Sequence, residues 1–180
     1  MATYKHGLSK SPEGRKIYSA WTDAKRRCYD TDCKHYIDYG GRGIVMHAEW
    51  KEDVTLFYKA VVSLPSFGLD RSLERIDNDR GYIPGNVRWA TKAEQVQNRR
   101  KPKNNTSGFS GVTWYHNATG GTRAIAWYEK ESGSRKASSK SFPEKRFGLL
   151  PAFAMAVEYR RNTILYLNSQ GANYSAKHGK

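Results

Sequence analysis

Apolar residues recur at helical spacing in two stretches near the start of the chain. The first stretch begins at Pro12, a favourable first helical residue, and places Ile17 and Cys28 on one face. The second stretch predicts a single helix over residues 48–64, which a proline and a glycine then end. Both stretches have the spacing of surface helices that bury one side against a common core.

A short hairpin is predicted next. Residues 72–77 alternate as a half-buried strand does, residues 78–81 have the composition of a turn, and residues 86–89 return as the partner strand. Thr91 is a good cap for a third helix over residues 92–100. The sequence therefore predicts the order strand, turn, strand, helix in this region.

Beyond a polar, basic segment the pattern changes to strands and one long helix. Residues 101–107 offer nothing to bury and predict a linker. Strands are predicted over residues 112–116, 123–128 and 136–142, and a helix over residues 150–167. The residues expected to pack this helix against the sheet are Phe153, Val157, Ile164 and Leu165.

These patterns predict two small α+β domains, which 180 residues can accommodate. The first is expected over residues 1–100, with the hairpin and its helices. Residues 101–107 form the basic linker. The second domain is expected over residues 108–170, as a three-stranded antiparallel sheet packed on one helix, and residues 171–180 as a flexible tail.

The chain is strongly basic. It carries 31 Lys and Arg against 17 Asp and Glu, a formal net charge of +14, and its isoelectric point is near 9.8. Residues 106–180 alone carry 11 basic and 4 acidic side chains, so both halves are basic. Such a charge attracts polyanions and predicts a nucleic-acid partner. Charge alone also allows an RNA-binding or ribosomal partner, or a basic surface that serves solubility.

Other sequence features narrow the class. No apolar run is long enough for a membrane span and the start lacks a signal peptide, so we expect a soluble protein of the cytoplasm. We expect no membrane partner and no nucleotide cofactor. Cys28, Cys33 and His35 have a spacing seen in zinc sites, but there is no second cysteine pair. The position of Cys28 on an apolar helix face favours a structural role, and structural zinc is not expected.

The hairpin and its flanks carry a longer motif. It includes the residues from Ser72 to Tyr82 and from Pro84 to Thr91, then Glu94 and Gln95, and upstream the residues from Tyr39 to Ile44 and Trp50. Over roughly residues 6–100 this motif resembles the HNH endonucleases of phages, including homing endonucleases. The resemblance implies a ββα-metal domain with extra helices, in which a hairpin and a helix hold one divalent cation.

The resemblance also implies roles for individual residues. Glu74 falls on the first metal ligand, Gln95 on the helical ligand, and Asn86 on the asparagine that braces the hairpin. The implied cofactor is one Mg²⁺ or Mn²⁺ in each active site. Hydrolysis of a phosphodiester needs such a cation, an activated water and donors for the charge that develops in the transition state.

One position departs from the best-known members. Arg75 stands where they carry the histidine that acts as the general base. Arginine stays protonated, so it cannot take a proton from water, but it can bind the scissile phosphate. Tyr82 and His47 are the candidate bases, although each also has an ordinary structural interpretation: Tyr82 as a packing residue and His47 as a surface residue before a helix.

The C-terminal part interleaves basic and aromatic residues. Its strand order and the residues from Ser107 to Trp114 resemble the plant ethylene-response-factor (ERF) type of DNA-binding domain over about residues 106–168. This resemblance implies a sheet face that reads the major groove. The loop containing Arg42 fits a phosphate contact or a tight turn equally. The residues expected to contact DNA are Arg42, Arg88, Arg99, Arg100, Lys101, Lys103, Trp114, Arg123, Trp127, Arg135, Lys136 and Lys140.

Together these features predict a metal-dependent endonuclease that nicks or cleaves double-stranded DNA at specific sites, acting in the host cytoplasm if a phage encodes it. A monomer with one active site would nick, and a homodimer would cut both strands at once. The alternative is a sequence-specific DNA-binding protein that has the HNH scaffold without catalysis. The arginine at position 75 is the main support for this alternative.

Overall fold

The computed structural model shows a mixed α+β protein that divides into two compact units, residues 1–92 and 93–180. It describes residues 7–101, 104–117, 122–129 and 137–175. The boundary between the units lies before residue 100, the predicted end of the first domain. The helix that follows the hairpin therefore belongs almost entirely to the second unit.

The first unit combines helices with a two-stranded antiparallel hairpin. A short 3-10 turn at Leu8–Lys10 precedes its first helix, and two more, at Tyr36–Asp38 and Gly40–Arg42, connect the first helix to the second. The longer elements are α1 (Pro12–Tyr29), α2 (Ala48–Glu52), α3 (Val54–Val62), β1 (Ser72–Arg75) and β2 (Val87–Ala90).

Helix α1 forms as the sequence predicts. The Ser11 hydroxyl accepts a hydrogen bond from the Gly14 N–H at 2.9 Å, and Pro12 occupies the first helical position. Ile17, Ala24 and Cys28 are buried on one face of the helix. They pack with Trp50, Phe57, Val61 and Trp89, among others, in the core of the first unit.

The single helix predicted over residues 48–64 is wrong, because two helices occupy this stretch. Asp53 has extended backbone angles and ends α2. Its carboxylate accepts a hydrogen bond from the Thr55 N–H at 2.6 Å and so caps the N-terminus of α3. The apolar spacing runs through the break, which is why periodicity alone joined the two helices.

The second unit is an antiparallel sheet of strand order β3-β4-β5 with helices around it. None of the helices in the described ranges is long and apolar enough to cross a membrane. The elements are α4 (Lys92–Gln97), β3 (Val112–His116), β4 (Thr122–Glu129), β5 (Ala137–Pro143), α5 (Glu144–Phe147) and α6 (Leu149–Ser169).

Small side chains bring α6 close to the sheet. Ala124 and Ala126 of β4 are fully buried, as are Ala152 and Ala156 of α6, and all four belong to one core cluster. The prediction that Leu165 packs in this core is wrong, because its side chain is 67% exposed. A helix advances about 100° per residue, so the burial of the preceding residue directs Leu165 outward.

The residues after α6 pack back onto it. Ala172 and Tyr174 are buried in a cluster with Ile164 and Leu167. Asn168 accepts a hydrogen bond from the Tyr174 N–H at 3.0 Å and donates one to the Tyr174 carbonyl at 3.3 Å. The prediction of a flexible tail from residue 171 is therefore corrected for residues 172–174.

A substitution of Gly40 tests how closely the loops of the first unit pack. A Cβ atom at Gly40 would lie 2.1 Å from the Cys28 carbonyl oxygen at the end of α1, whereas one at Gly41 would lie 3.3 Å from its nearest neighbour. We expect Gly40→Ala to lower the free energy of unfolding by about 3 kcal/mol, because backbone must move. Gly41→Ala is the control and should cost less than about 1 kcal/mol. Urea denaturation followed by tryptophan fluorescence measures both, and equal effects would contradict the packing.

Candidate functional site

The loop between β1 and β2 is held together by Asn86. This side chain is almost fully buried; its carbonyl accepts the Asp77 N–H at 2.9 Å. Its amide donates to the Asp77 carbonyl at 3.1 Å and to the Gly81 carbonyl at 2.9 Å. Both ends of the loop are thereby tied to the start of β2, which is the brace that the resemblance implies for this residue.

Arg75 lies inside the first unit and not on its surface. Arg75 is only 4% exposed. Its Nη1 donates to the carbonyls of Asn78 at 2.9 Å and Arg80 at 2.8 Å. The guanidinium carbon lies 4.7 Å from the ring centroid of Tyr39 and 5.3 Å from that of Tyr82. The prediction that Arg75 binds the scissile phosphate is therefore corrected: its guanidinium is used inside the loop.

The glycine-rich loop upstream packs against the same hairpin. The Arg42 guanidinium forms an ion pair with Asp79 and donates to the carbonyls of Asp38 and Asn78. Of the two interpretations of this loop, the structure supports the tight turn, because Arg42 has partners within the unit. Its proposed contact with DNA phosphate has no separate support.

Tyr82 does not suit the role of general base. It is buried, and its ring is stacked with that of Tyr39 at a centroid distance of 6.4 Å. Burial raises the pKa of its phenol to about 12; Tyr39 acts in the same direction, and Arg27 and Arg75 oppose it. The phenol therefore stays protonated near neutral pH, which corrects the prediction in favour of the packing interpretation.

His47 keeps contact with the hairpin through its backbone. Its N–H donates to the Tyr82 carbonyl at 2.9 Å, and its ring meets the edge of Trp50 at 5.5 Å. The ring atom Nδ1 is buried and has no hydrogen-bond partner among the described residues. Of the two candidate bases, His47 is the one that the geometry leaves in place.

Glu74 faces the opposite side of β1 from Arg75 and is paired across the hairpin. Arg88 is its direct neighbour in the strand register, and Nε and Nη2 of Arg88 lie 3.2 and 3.1 Å from Glu74 Oε2. The Glu74 side chain is only 10% exposed. Its negative charge is therefore compensated by a protein cation.

This arrangement does not fit a divalent cation at Glu74. Mg²⁺ and Mn²⁺ need several oxygen ligands around one position. Gln95, the other predicted ligand, lies on α4. In the described ranges there is no group of three or more His, Cys, Asp and Glu side chains suited to hold a metal ion.

Cys28 is not poised for reactive chemistry in this arrangement. Cys28 is buried, and burial raises the pKa of its thiol to about 11, although the guanidiniums of Arg75 and Arg27 act in the opposite direction. Metal binding and nucleophilic attack both require the thiolate. Cys28 is therefore a core residue of α1.

In the second unit, one side of the sheet faces away from α6. Strand alternation and the register place seven residues with described side chains on this side, which we call the outer sheet face: Thr113, Tyr115, Arg123, Ile125, Ser139, Ser141 and Pro143. Tyr115 is 48% exposed, and the Arg123 guanidinium lies 5.1 Å from its ring centroid. The Arg123 side chain makes no hydrogen bond or ion pair with any described residue.

The other predicted DNA contacts of this unit are distributed differently. Trp114 faces α6 and stacks on Phe153 at a centroid distance of 5.3 Å, so the prediction that it contacts DNA is corrected. Lys140 is exposed on β5, and Arg99 and Arg100 are exposed just beyond α4. Lys101 is also exposed and donates to the Gly108 carbonyl. Lys103, Arg135, Lys136 and the side chain of Trp127 lie outside the described residues.

The sequence pattern predicts a DNA contact for Trp114 and not for its neighbour Tyr115. Strand alternation separates the two residues: Val112 is apolar and buried, so Trp114, two residues later, lies on the same side of β3 and Tyr115 on the other. Comparisons of the chain with protein-family models, curated proteins and solved structures gave no match.

Replacing Arg75 tests whether it serves the fold. We expect Arg75→Ala to lower the free energy of unfolding by about 3 kcal/mol, because a buried guanidinium is removed, two loop carbonyls lose its hydrogen bonds and two rings lose their cation. Arg80→Ala removes an exposed arginine of the same loop and should cost less than about 0.5 kcal/mol. Chemical denaturation measures both variants. An Arg75→Ala protein as stable as Arg80→Ala would show that the guanidinium is not structural.

Proposed function

We propose that this protein binds double-stranded DNA. The observation that carries the proposal is the outer sheet face of the second unit, where an arginine without another described partner lies against an exposed tyrosine. The net charge of +14, shared by both halves of the chain, supports a polyanionic partner.

The dimensions of the outer sheet face suit the major groove. Three strands spaced by about 4.8 Å form a ribbon close to the groove width of about 12 Å. The side chains around Arg123 and Tyr115 are smaller, namely Thr113, Ile125, Ser141 and Pro143, so the guanidinium can approach base edges. Arginine pairs with the O6 and N7 atoms of guanine, and tyrosine packs on sugars and thymine methyls.

The exposed basic residues beyond α4 support contacts with the DNA backbone. Arg99, Arg100 and Lys101 follow one another and are all exposed. A run of this kind binds phosphates without reading sequence, so it adds affinity and salt dependence. We therefore assign sequence readout to the outer sheet face and backbone attraction to this run.

Binding to a labelled duplex selected from a random pool tests the proposal. We expect Arg123→Ala to weaken binding about tenfold and to relax the preference at one base pair, because one bidentate contact with guanine contributes about 1–3 kcal/mol. Lys145→Ala removes an exposed cation of α5 and is the control, which should change affinity less than about twofold. Fluorescence anisotropy at several salt concentrations measures both. Equal losses in the two variants would contradict readout by Arg123.

Endonuclease activity is the second candidate function. The brace of Asn86 across the hairpin loop favours it, because this is the part of the HNH pattern whose side chain has the implied contacts. His47 is the residue that would accept the proton of the attacking water. Against this candidate stand the pairing of Glu74 with Arg88 and the burial of Arg75.

Supercoiled plasmid incubated with Mg²⁺ or Mn²⁺ separates the two functions. A nuclease would produce nicked or linear DNA, and chelator would prevent this. We then expect His47→Ala to slow cleavage by about 10²–10⁴-fold and to flatten its pH profile, as loss of a general base does. Tyr82→Phe is the control and should cleave at the wild-type rate. Intact plasmid under all conditions, with DNA binding retained, would exclude the nuclease and leave the binding protein.

A further inference from the structure

We infer that Arg88 is a phosphate-binding residue of the hairpin, and that Glu74 is the residue that orients it. The inference rests on the proposed binding of DNA and extends it to the first unit. The ligand is a phosphodiester of the DNA backbone. Glu74 then has the function of a positioning residue and not of a metal ligand.

The contacts between the two side chains fix the direction of the guanidinium. Arg88 and Glu74 are opposite each other in the antiparallel register, and both hydrogen bonds end on the same oxygen, Glu74 Oε2. They use Nε and Nη2, which form one edge of the guanidinium. Nη1 has no hydrogen-bond partner among the described residues.

Burial differs between the two partners in a way that suits an anion site. The Glu74 side chain is 10% exposed and that of Arg88 is 30% exposed. The carboxylate is therefore withdrawn from solvent while part of the guanidinium remains accessible. A phosphate oxygen that meets a guanidinium already held in one orientation loses less side-chain entropy than one that must order a free arginine.

The other arginines at the hairpin do not combine a fixed orientation with a donor atom that is available to a phosphate. Arg75 is buried, and its Nη1 donates to two loop carbonyls. In Arg88 the same atom has no described partner. In Arg42 the atoms Nη1 and Nη2 are bonded to loop carbonyls and to Asp79. Arg88 thus combines a fixed orientation with donor capacity toward solvent.

The change in net charge allows one experiment to separate two explanations, because they predict opposite changes in DNA affinity. Glu74→Gln raises the net charge of the protein by one, so long-range electrostatics alone predicts tighter binding of DNA. The orienting role predicts the opposite, because the neutral amide holds the guanidinium less strongly. Glu52→Gln makes the same charge change at a side chain that is 75% exposed and is the matched control.

The test measures binding of a DNA duplex by anisotropy as a function of salt. We expect Glu74→Gln to bind about threefold more weakly and Glu52→Gln as tightly as wild type or more tightly. Arg88→Gln should weaken binding about tenfold and reduce the slope of log K against log salt by about 0.9, the value for one phosphate. Arg26→Gln, at a side chain that is 59% exposed on α1, is the control and should leave the affinity within about twofold.

Arg88→Lys keeps the charge but cannot hold two bonds to one oxygen and still present a free edge. The Arg88→Lys protein should therefore bind DNA more weakly but keep the wild-type dependence of affinity on salt. This result would separate the effect of guanidinium orientation from the effect of charge. Unfolding transitions measured for all variants confirm that each is folded at the assay temperature. If the Glu74→Gln protein is unfolded there, Arg88→Lys and Arg88→Gln decide the question.

Three results would overturn the inference. The first is a folded Glu74→Gln protein that binds DNA as tightly as Glu52→Gln. The second is stoichiometric binding of Mn²⁺ to the free wild-type protein that is lost in Glu74→Gln, which would make Glu74 a metal ligand. The third is equal weakening by Arg88→Gln and Arg26→Gln. A wild-type protein that binds no DNA duplex, or prefers an RNA duplex of the same sequence, would instead contradict the proposed function and the inference with it.

Discussion

The buried guanidinium of Arg75 is the interaction on which the hairpin of the first unit depends. A buried charge is strongly unfavourable unless hydrogen bonds and nearby electron density compensate it. Here two loop carbonyls and the rings of Tyr39 and Tyr82 do so. Because neighbouring side chains of a strand point to opposite sides, burial of Arg75 also directs Glu74 to the other side, where Arg88 pairs with it.

The same interaction explains the glycine-rich motif upstream of the hairpin. Tyr39 can lie over the Arg75 guanidinium only if the loop that follows it passes close to α1. Gly40 allows this, since a Cβ atom there would meet the Cys28 carbonyl. Arg42 then reaches the outer side of the hairpin loop and pairs with Asp79. Residues that resemble a phosphate-binding loop in the sequence are thus explained by packing around one buried cation.

Much of the fold could be predicted from the sequence, because periodicity reports secondary structure directly. The strands of both sheets and helix α1 are examples. What periodicity does not report is which of the two sides of an element faces the core. Arg75 and Trp114 are predicted to contact DNA, but Arg75 is buried and Trp114 packs on Phe153 of α6; Leu165 is predicted in the core and is exposed. In each case a polar or aromatic side chain, or the residue beside a buried one, has two acceptable environments, and only the tertiary packing selects between them.

The formal charge of the chain therefore overstates the number of cationic side chains that a partner can contact directly. In the first unit, Arg42 and Arg75 bond to the hairpin loop, and Lys16 and Lys25 donate to backbone carbonyls at Leu69 and Lys51. These cations satisfy acceptors within the unit, so their donor atoms are not available for direct contacts with a partner, although their charges still add to the long-range field. What distinguishes a binding residue is an edge of its charged group that no described residue occupies. By that criterion Arg123 and Arg88 differ from Arg75, the other arginine of the described strands. The sum over all basic residues does not reveal this difference.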